Sequence, residues 1–195
     1  GIIYNPDVLL KLCRLIEKHN IFIISDEVYE MIDYYDKHYS IATICKKKNL
    51  IFTINSFSKG FAMTGWRLGY VAANKEHIEA LTAIQSQITT SSNYISQRCG
   101  EIVFNHTKSV FNTVRELKES MELFYKGLIN IDGIQCVKPS GGIYLFPDIS
   151  YFFDMKYKNM IINNSKDFCK YLLEDYKIGF LPGDLFGSPN NIRIS

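Results

Sequence analysis

The sequence predicts an α/β fold, a mostly parallel sheet with helices followed by a smaller α+β region, and three observations carry that prediction. Two short bounded runs, Ile21-Phe22-Ile23-Ile24 and Leu50-Ile51-Phe52-Thr53-Ile54, are apolar without a polar alternation, the pattern of strands buried on both faces. Around them lie stretches whose apolar residues recur at helical spacing. Beyond a long helical stretch from Ser109 to Gly127, the runs Ile134 to Val137 and Ile143 to Pro147 flank Pro139-Ser140-Gly141-Gly142, which reads as strand, turn and strand. The expected division is residues 1–108 and residues 109–195, the second beginning with the long helix.

Asn5-Pro6-Asp7 marks the first helix start: Asn5 caps, Pro6 suits the first turn and Asp7 favours the positive end of the dipole. Leu9, Leu12, Cys13 and Ile16 then fall on one face. Residues Met31 to Tyr39 are polar and tyrosine-rich, a loop or irregular helix over the surface, and Ile41 to Lys48 form a short connection. Leu68 to Ala73 is a further strand, with Gly69 allowing close backbone approach. Asn74 caps a helix to about Gln87 with Ile78, Leu81 and Ile84 on one face. Thr89 to Asn93 is a polar break, after which helical spacing resumes to Asn105. Val110, Val114, Leu117, Met121 and Phe124 stripe the long helix, with Gly127 as its C-cap. Residues 148–164 are irregular, Ser165 caps a helix to Tyr176, and Ile192 to Ser195 is a strand.

Composition excludes several classes. The net charge is +2 and the basic residues are scattered apart from Lys46-Lys47-Lys48, so nucleic-acid binding has no support. No apolar stretch is long enough to cross a bilayer and the chain opens with no signal-like segment, which predicts a soluble protein. The five cysteines are dispersed and odd in number, as in reduced intracellular proteins, and a cytoplasmic location is expected. The four histidines show no paired spacing, so no metal site is expected.

Two segments carry chemistry. Ser56-Phe57-Ser58-Lys59 follows the second apolar run, which puts Lys59 just past a strand's carboxyl end, where ligands bind in open α/β sheets. A desolvated lysine there is a carbonyl-binding amine, and Ser56, Ser58 and Arg67 offer the hydroxyls and guanidinium that hold a phosphate. Asp26 follows the first apolar run, where a carboxylate can also simply cap the next turn. Taken alone, Lys59 and Arg193 are also ordinary solvated charges.

Together these residues form a series. S-x-S-K-x-x-A-M-T-G-x-R-x-G at Ser56 to Gly69 resembles, position by position, the lysine signature of the fold-type I aminotransferases of class I and II. Ser25-Asp26-Glu27-Val28-Tyr29, Pro139 to Pro147, Pro182 to Gly187 and Ile192-Arg193-Ile194-Ser195 resemble further motifs of the same family, in the same order. The resemblance implies an aspartate aminotransferase-like fold, in which residues 1–108 are the C-terminal part of a large cofactor domain and residues 109–195 a smaller one. It implies pyridoxal 5'-phosphate as cofactor, amino-acid and 2-oxo-acid substrates of aspartate, alanine or aromatic type, and a homodimer with residues 89–93 near its interface.

By the same resemblance Lys59 is the Schiff-base lysine, Asp26 pairs with the pyridinium nitrogen and Tyr29 donates to the phenolic oxygen. Ser56, Ser58 and Arg67 hold the phosphate, and Arg193 clamps the substrate's α-carboxylate. Burial of Asp26 would favour a protonated ring, the better electron sink. Family members are about twice as long, so the upstream phosphate turn, the stacking aromatic and the final helix fall outside these residues, which are expected not to turn over substrate alone. A cofactor-binding domain of a transcriptional regulator, a carbon–sulfur lyase and a cyclopropane-forming synthase are the alternatives that share the signature.

Overall fold

The structure, a computed structural model, describes residues 1–158 and 160–195, with the side chain of Ser109 left out; Asn159, inside the stretch expected to be irregular, lies outside the described residues. The chain forms two compact units, residues 3–115 and residues 116–195 together with 1–2.

The first unit opens on helix α1 (Pro6–His19), capped by Asn5, whose side chain accepts from the Asp7 amide at 2.8 Å, with proline in the first turn as expected. Strand β1 (Ile23–Asp26) runs parallel to β2 (Ile51–Ser56), and β2 runs antiparallel to β3 (Gly69–Ala72). The three-stranded order is β1-β2-β3, an α/β arrangement as predicted. Strand β1 begins two residues later than its apolar run, and that run is not buried: Phe22 is 59% and Ile24 69% exposed. The reason is position, since β1 has a described partner only on its β2 side and its full apolarity therefore does not mark a central strand here.

The core of this unit joins Leu9, Cys13 and Ile16 of α1 to Ile51 of β2, Leu50 before it, and Ile41 and Cys45 on and after the short helix α2 (Ile41–Ile44). Leu12, expected on the buried face, is exposed because the stripe that meets the core is the narrower 9-13-16 row. The segment 31–39 is turns rather than helix, and it is not wholly superficial: Ile32 and Tyr34 are buried, and burial pushes the Tyr34 phenol up to about 12.

Helix α3 (Phe57–Gly60) follows β2 directly, and a 3-10 turn at Thr64–Trp66 leads into β3. Helix α4 (Lys75–Ile88) is capped by Asn74 as expected, but buries no residue, so the Ile78-Leu81-Ile84 face has no core against it. Asn93 caps α5 (Tyr94–Val103) by accepting from the amides of Ile95 and Ser96. Helix α6 (Thr107–Ile129) runs through Gly127 rather than ending there, and the unit boundary falls within it.

In the second unit the expected hairpin is reduced to isolated bridges, Gln135 with Asp148 and Leu145 with Ile194. The glycine-turn arms meet only through the Gln135–Asp148 bridge among the described residues, and the C-terminal strand meets the 145 segment. Two small antiparallel pairs follow, β4 (Lys156–Tyr157) with β5 (Met160–Ile161), and β6 (Leu181–Pro182) with β7 (Ile192–Arg193). Helix α7 (Ser165–Tyr176) is capped by Asn164, not Ser165; Ser165 is fully buried, its hydroxyl 3.4 Å from the Asp184 carboxylate. Leu145, Ile149, Ile162, Ile192 and Ile194 are the most buried apolar residues of this unit.

Ile16 is 2% exposed at the centre of the first core, so Ile16→Ala is expected to lower the unfolding free energy by about 2–5 kcal/mol in urea titration. A loss below ~1 kcal/mol would mean that α1 is not anchored there.

Candidate active site

Registers bring the predicted residues of the first unit to one end of its sheet. Asp26 is the last residue of β1 and pairs with Ile54 of β2. Two residues on, Ser56 ends β2 and lies opposite Gly69, the first residue of β3. Lys59 stands in α3 immediately beyond β2, and Arg67 stands two residues before β3. The carboxyl ends of the parallel pair and the entry to β3 therefore meet at one edge, where open α/β sheets bind ligands.

Local hydrogen bonds shape that edge. Ser56 is the N-cap of α3: its hydroxyl accepts from the Ser58 amide at 3.0 Å and donates to the Leu68 carbonyl at 3.2 Å. The two segments carrying Lys59 and Arg67 are thus tied at their base. Arg67 holds a left-handed conformation, φ 51° and ψ 50°, which costs a side-chain-bearing residue about 1 kcal/mol or more, and its Nη1 donates to the Thr64 carbonyl at 2.9 Å.

Helix α5 braces the same segment. Phe57, Met63 and Leu68 form a buried cluster against Cys99 and Val103, and Ser96 donates to the Trp66 carbonyl at 2.9 Å. Gly100 permits the approach, since a Cβ there would lie 2.6 Å from the Leu68 side chain. Gly69 fulfils its expected role: a Cβ would lie 2.9 Å from the Asn55 carbonyl oxygen.

The turn after β1 faces α3. The Lys59 Nζ lies 5.9 Å from the centre of the Tyr29 ring, and a Cβ on Gly60 would meet Met31 at 3.0 Å. Lysine, phenol and the Asp26 strand end are thereby gathered. Asp26 itself is exposed, accepting from the Val28 amide at 3.3 Å, so its expected burial is not found: it ends a strand that, among the described residues, pairs only with β2. Arg193, the remaining predicted residue, belongs to the second unit, on β7.

One cluster had no sequence signal strong enough to announce it. Glu27, beside Asp26, is buried and accepts from the hydroxyls of Ser25 and Ser40, both at 2.9 Å, while His38 Nε2 lies 3.4 Å from its other oxygen. With Glu30 these residues bring one potential metal-ligand atom each within 4.8 Å of one another, although dispersed histidines had suggested no metal site. The Glu27 oxygens are already engaged by hydroxyls and imidazole, so the cluster is explained as a hydrogen-bonded brace between β1 and the 38–40 segment. Its only advance sign was the pair of serines spaced around the acidic residues.

Burial alone would raise the Glu27 carboxyl, but bonds from His38, Ser40 and Ser25 outweigh it and hold the group below its ordinary 4.5. The bond to Glu27 raises His38 above its ordinary 6.5 against the opposing effect of burial.

The family profile described as aminotransferase class I and II matches residues 1–195. The chain belongs to the class I and II aminotransferase family. Among curated class I and II relatives, an aspartate aminotransferase of Pinus pinaster is 35% identical over all of this chain and 41% of its own length. One from Bacillus subtilis is 36% identical over all of this chain and 49% of its own. Of solved aminotransferases, an aromatic aminotransferase from Pyrococcus horikoshii OT3 superposes with a TM-score of 0.90 at 32% identity, covering all of this chain and 51% of that one. The chain therefore spans about half the length of the aminotransferases it matches.

The Glu27–His38 pair makes stability pH-dependent with a definite sign. Glu27, lowered on folding, contributes above pH 4.5 and loses its contribution as pH falls through its folded value. His38, raised on folding, contributes below pH 6.5 and loses it as pH rises through its folded value. Both contributions are full from pH 4.5 to 6.5, so His38→Gln is expected to lower the thermal midpoint most inside that window and least near about pH 9. An equal loss at both would rule out the charged pair.

Proposed function

We propose that the protein is a pyridoxal-phosphate-dependent aminotransferase that moves the amino group of an L-amino acid, of aspartate, alanine or aromatic type, to a 2-oxo acid. The observation that supports it most is the meeting of Lys59, Tyr29 and the Asp26 strand end at one sheet edge, with Ser56 and Arg67 across the β2–β3 register. An amine, a phenol, a carboxylate, hydroxyls and a guanidinium are a donor set that fits a phosphorylated pyridine aldehyde.

When bound, the cofactor supplies an aldehyde carbon for amines and a ring that takes up the electron pair left at the substrate Cα. The chain's own residues do the rest. Lys59 Nζ would hold the cofactor through its aldehyde carbon and, once displaced by substrate, would take the proton from the substrate Cα. Asp26 keeps a proton on the ring nitrogen, and Tyr29 donates to the phenolic oxygen. Ser56, Ser58 and Arg67 fix the phosphate, and Arg193 pairs with the substrate's α-carboxylate in a two-bond fork.

On this reading residues 1–108 are the C-terminal part of a large cofactor-binding domain and residues 109–195 belong to a smaller one, in a cytoplasmic homodimer. The relatives described above are aminotransferases by name, which favours transfer over the lyase, synthase and regulator alternatives.

With pyridoxal phosphate, the full-length protein is expected to show a visible band that converts to the cofactor's amine form on adding a single amino-acid donor, and that returns with a 2-oxo acid. Lys59→Ala should abolish the conversion and lower turnover by at least about a hundredfold. A full-length Lys59→Ala variant with ordinary turnover would sink the assignment.

A further inference from the structure

Arg193 is held in an unusual way for a cation. Its guanidinium carbon lies 4.6 Å from the centre of the Tyr144 ring and 4.4 Å from that of Phe186. Among the described residues it forms no ion pair, so its charge meets aromatic faces and no protein carboxylate. Ring faces engage a guanidinium through its plane and leave the in-plane N–H donors available.

The backbone places each partner. Ile192 and Ile194, both 2% exposed, anchor one face of the last strand, and alternation sends Arg193 to the other. Leu145 and Ile194 exchange both backbone hydrogen bonds at 3.0 Å, which makes Tyr144 a diagonal neighbour of Arg193 on that second face. Phe186 closes the 3-10 turn Gly183–Phe186, whose tightness is enforced where a Cβ on Gly183 would lie 2.1 Å from the Ser188 carbonyl oxygen. Phe146 packs edge-on against Phe186, ring centres 6.1 Å apart, and backs it.

We propose that Tyr144 and Phe186 are positioning residues that clamp the Arg193 guanidinium and present its donor edge to a substrate carboxylate; this rests on the reading of Arg193 given above. The clamp works through orientation. A free arginine must give up side-chain freedom each time it forms a two-bond fork, whereas one already stacked has given it up beforehand. Loss of either ring therefore weakens carboxylate binding in ground and transition states alike, raising KM and sparing kcat.

The test uses the full-length protein with its cofactor and the amino donor that gives the spectral conversion. Phe186→Leu and Tyr144→Leu are each expected to raise KM for that donor about five- to tenfold with kcat within about twofold. In the wild type the Arg193 Hε resonance is expected upfield of the other arginines through ring current, and to move back in both leucine variants. Arg193→Lys separates the two levels of the argument. If it raises KM and neither leucine variant does, the clamp is overturned and the carboxylate reading stands. If it leaves KM unchanged, the carboxylate reading fails and the clamp fails with it. An unshifted Hε in the wild type overturns the clamp whatever the kinetics of the variants.

Discussion

The pairing of β2 with both of its neighbours is the constraint on which the rest of the first unit depends. Its parallel register with β1 sets Asp26 opposite Ile54, and its antiparallel register with β3 sets Ser56 opposite Gly69. A slip of one residue in either would turn a chemistry-bearing side chain to the other face. The register is held from several sides. The Glu27 amide donates to the Ile54 carbonyl at 2.9 Å, the Ser56 hydroxyl accepts from the Ser58 amide and donates to the Leu68 carbonyl, and α5 packs through Gly100 on Phe57 and Leu68. Lys59 can stand where it does because its helix is short, capped and pinned from behind.

The second unit solves a related problem with other means. Its strands are two residues long, so little of its order comes from a sheet. It relies instead on fully buried Leu145, Ile149, Ile162 and Ile194 and on turns too tight for a side chain at Gly183. A cation presented from such a scaffold needs local support, and for Arg193 that support is aromatic. Its charge meets no protein carboxylate among the described residues.

Local rules read well from the sequence wherever the determining atoms are close in the chain. Asn5 and Asn74 were legible as caps because a cap needs only its own side chain and the next two or three amides. The Ser56-to-Gly69 and Asp26-to-Tyr29 segments were legible as one family's pattern, and the family profile extends over the same residues. Burial was read poorly, and for one reason. Ile24, Ile84 and Leu12 are apolar at the right spacing but exposed, because periodicity reports which face is apolar and not what covers it. The packing of Arg193 on Tyr144 and the Glu27–His38 brace join residues 49 and 11 positions apart in sequence, and no local pattern connects their members. Asn164 displaced Ser165 as the cap of α7 because Ser165 is taken by burial and Asp184.

The most direct test of the account asks which amine meets the cofactor. The full-length protein loaded with pyridoxal phosphate can be reduced with borohydride, digested, and its labelled peptide sequenced by mass spectrometry. The account predicts one pyridoxyl group, carried by Lys59. A label on any other lysine, or none on the peptide containing Lys59, would contradict it.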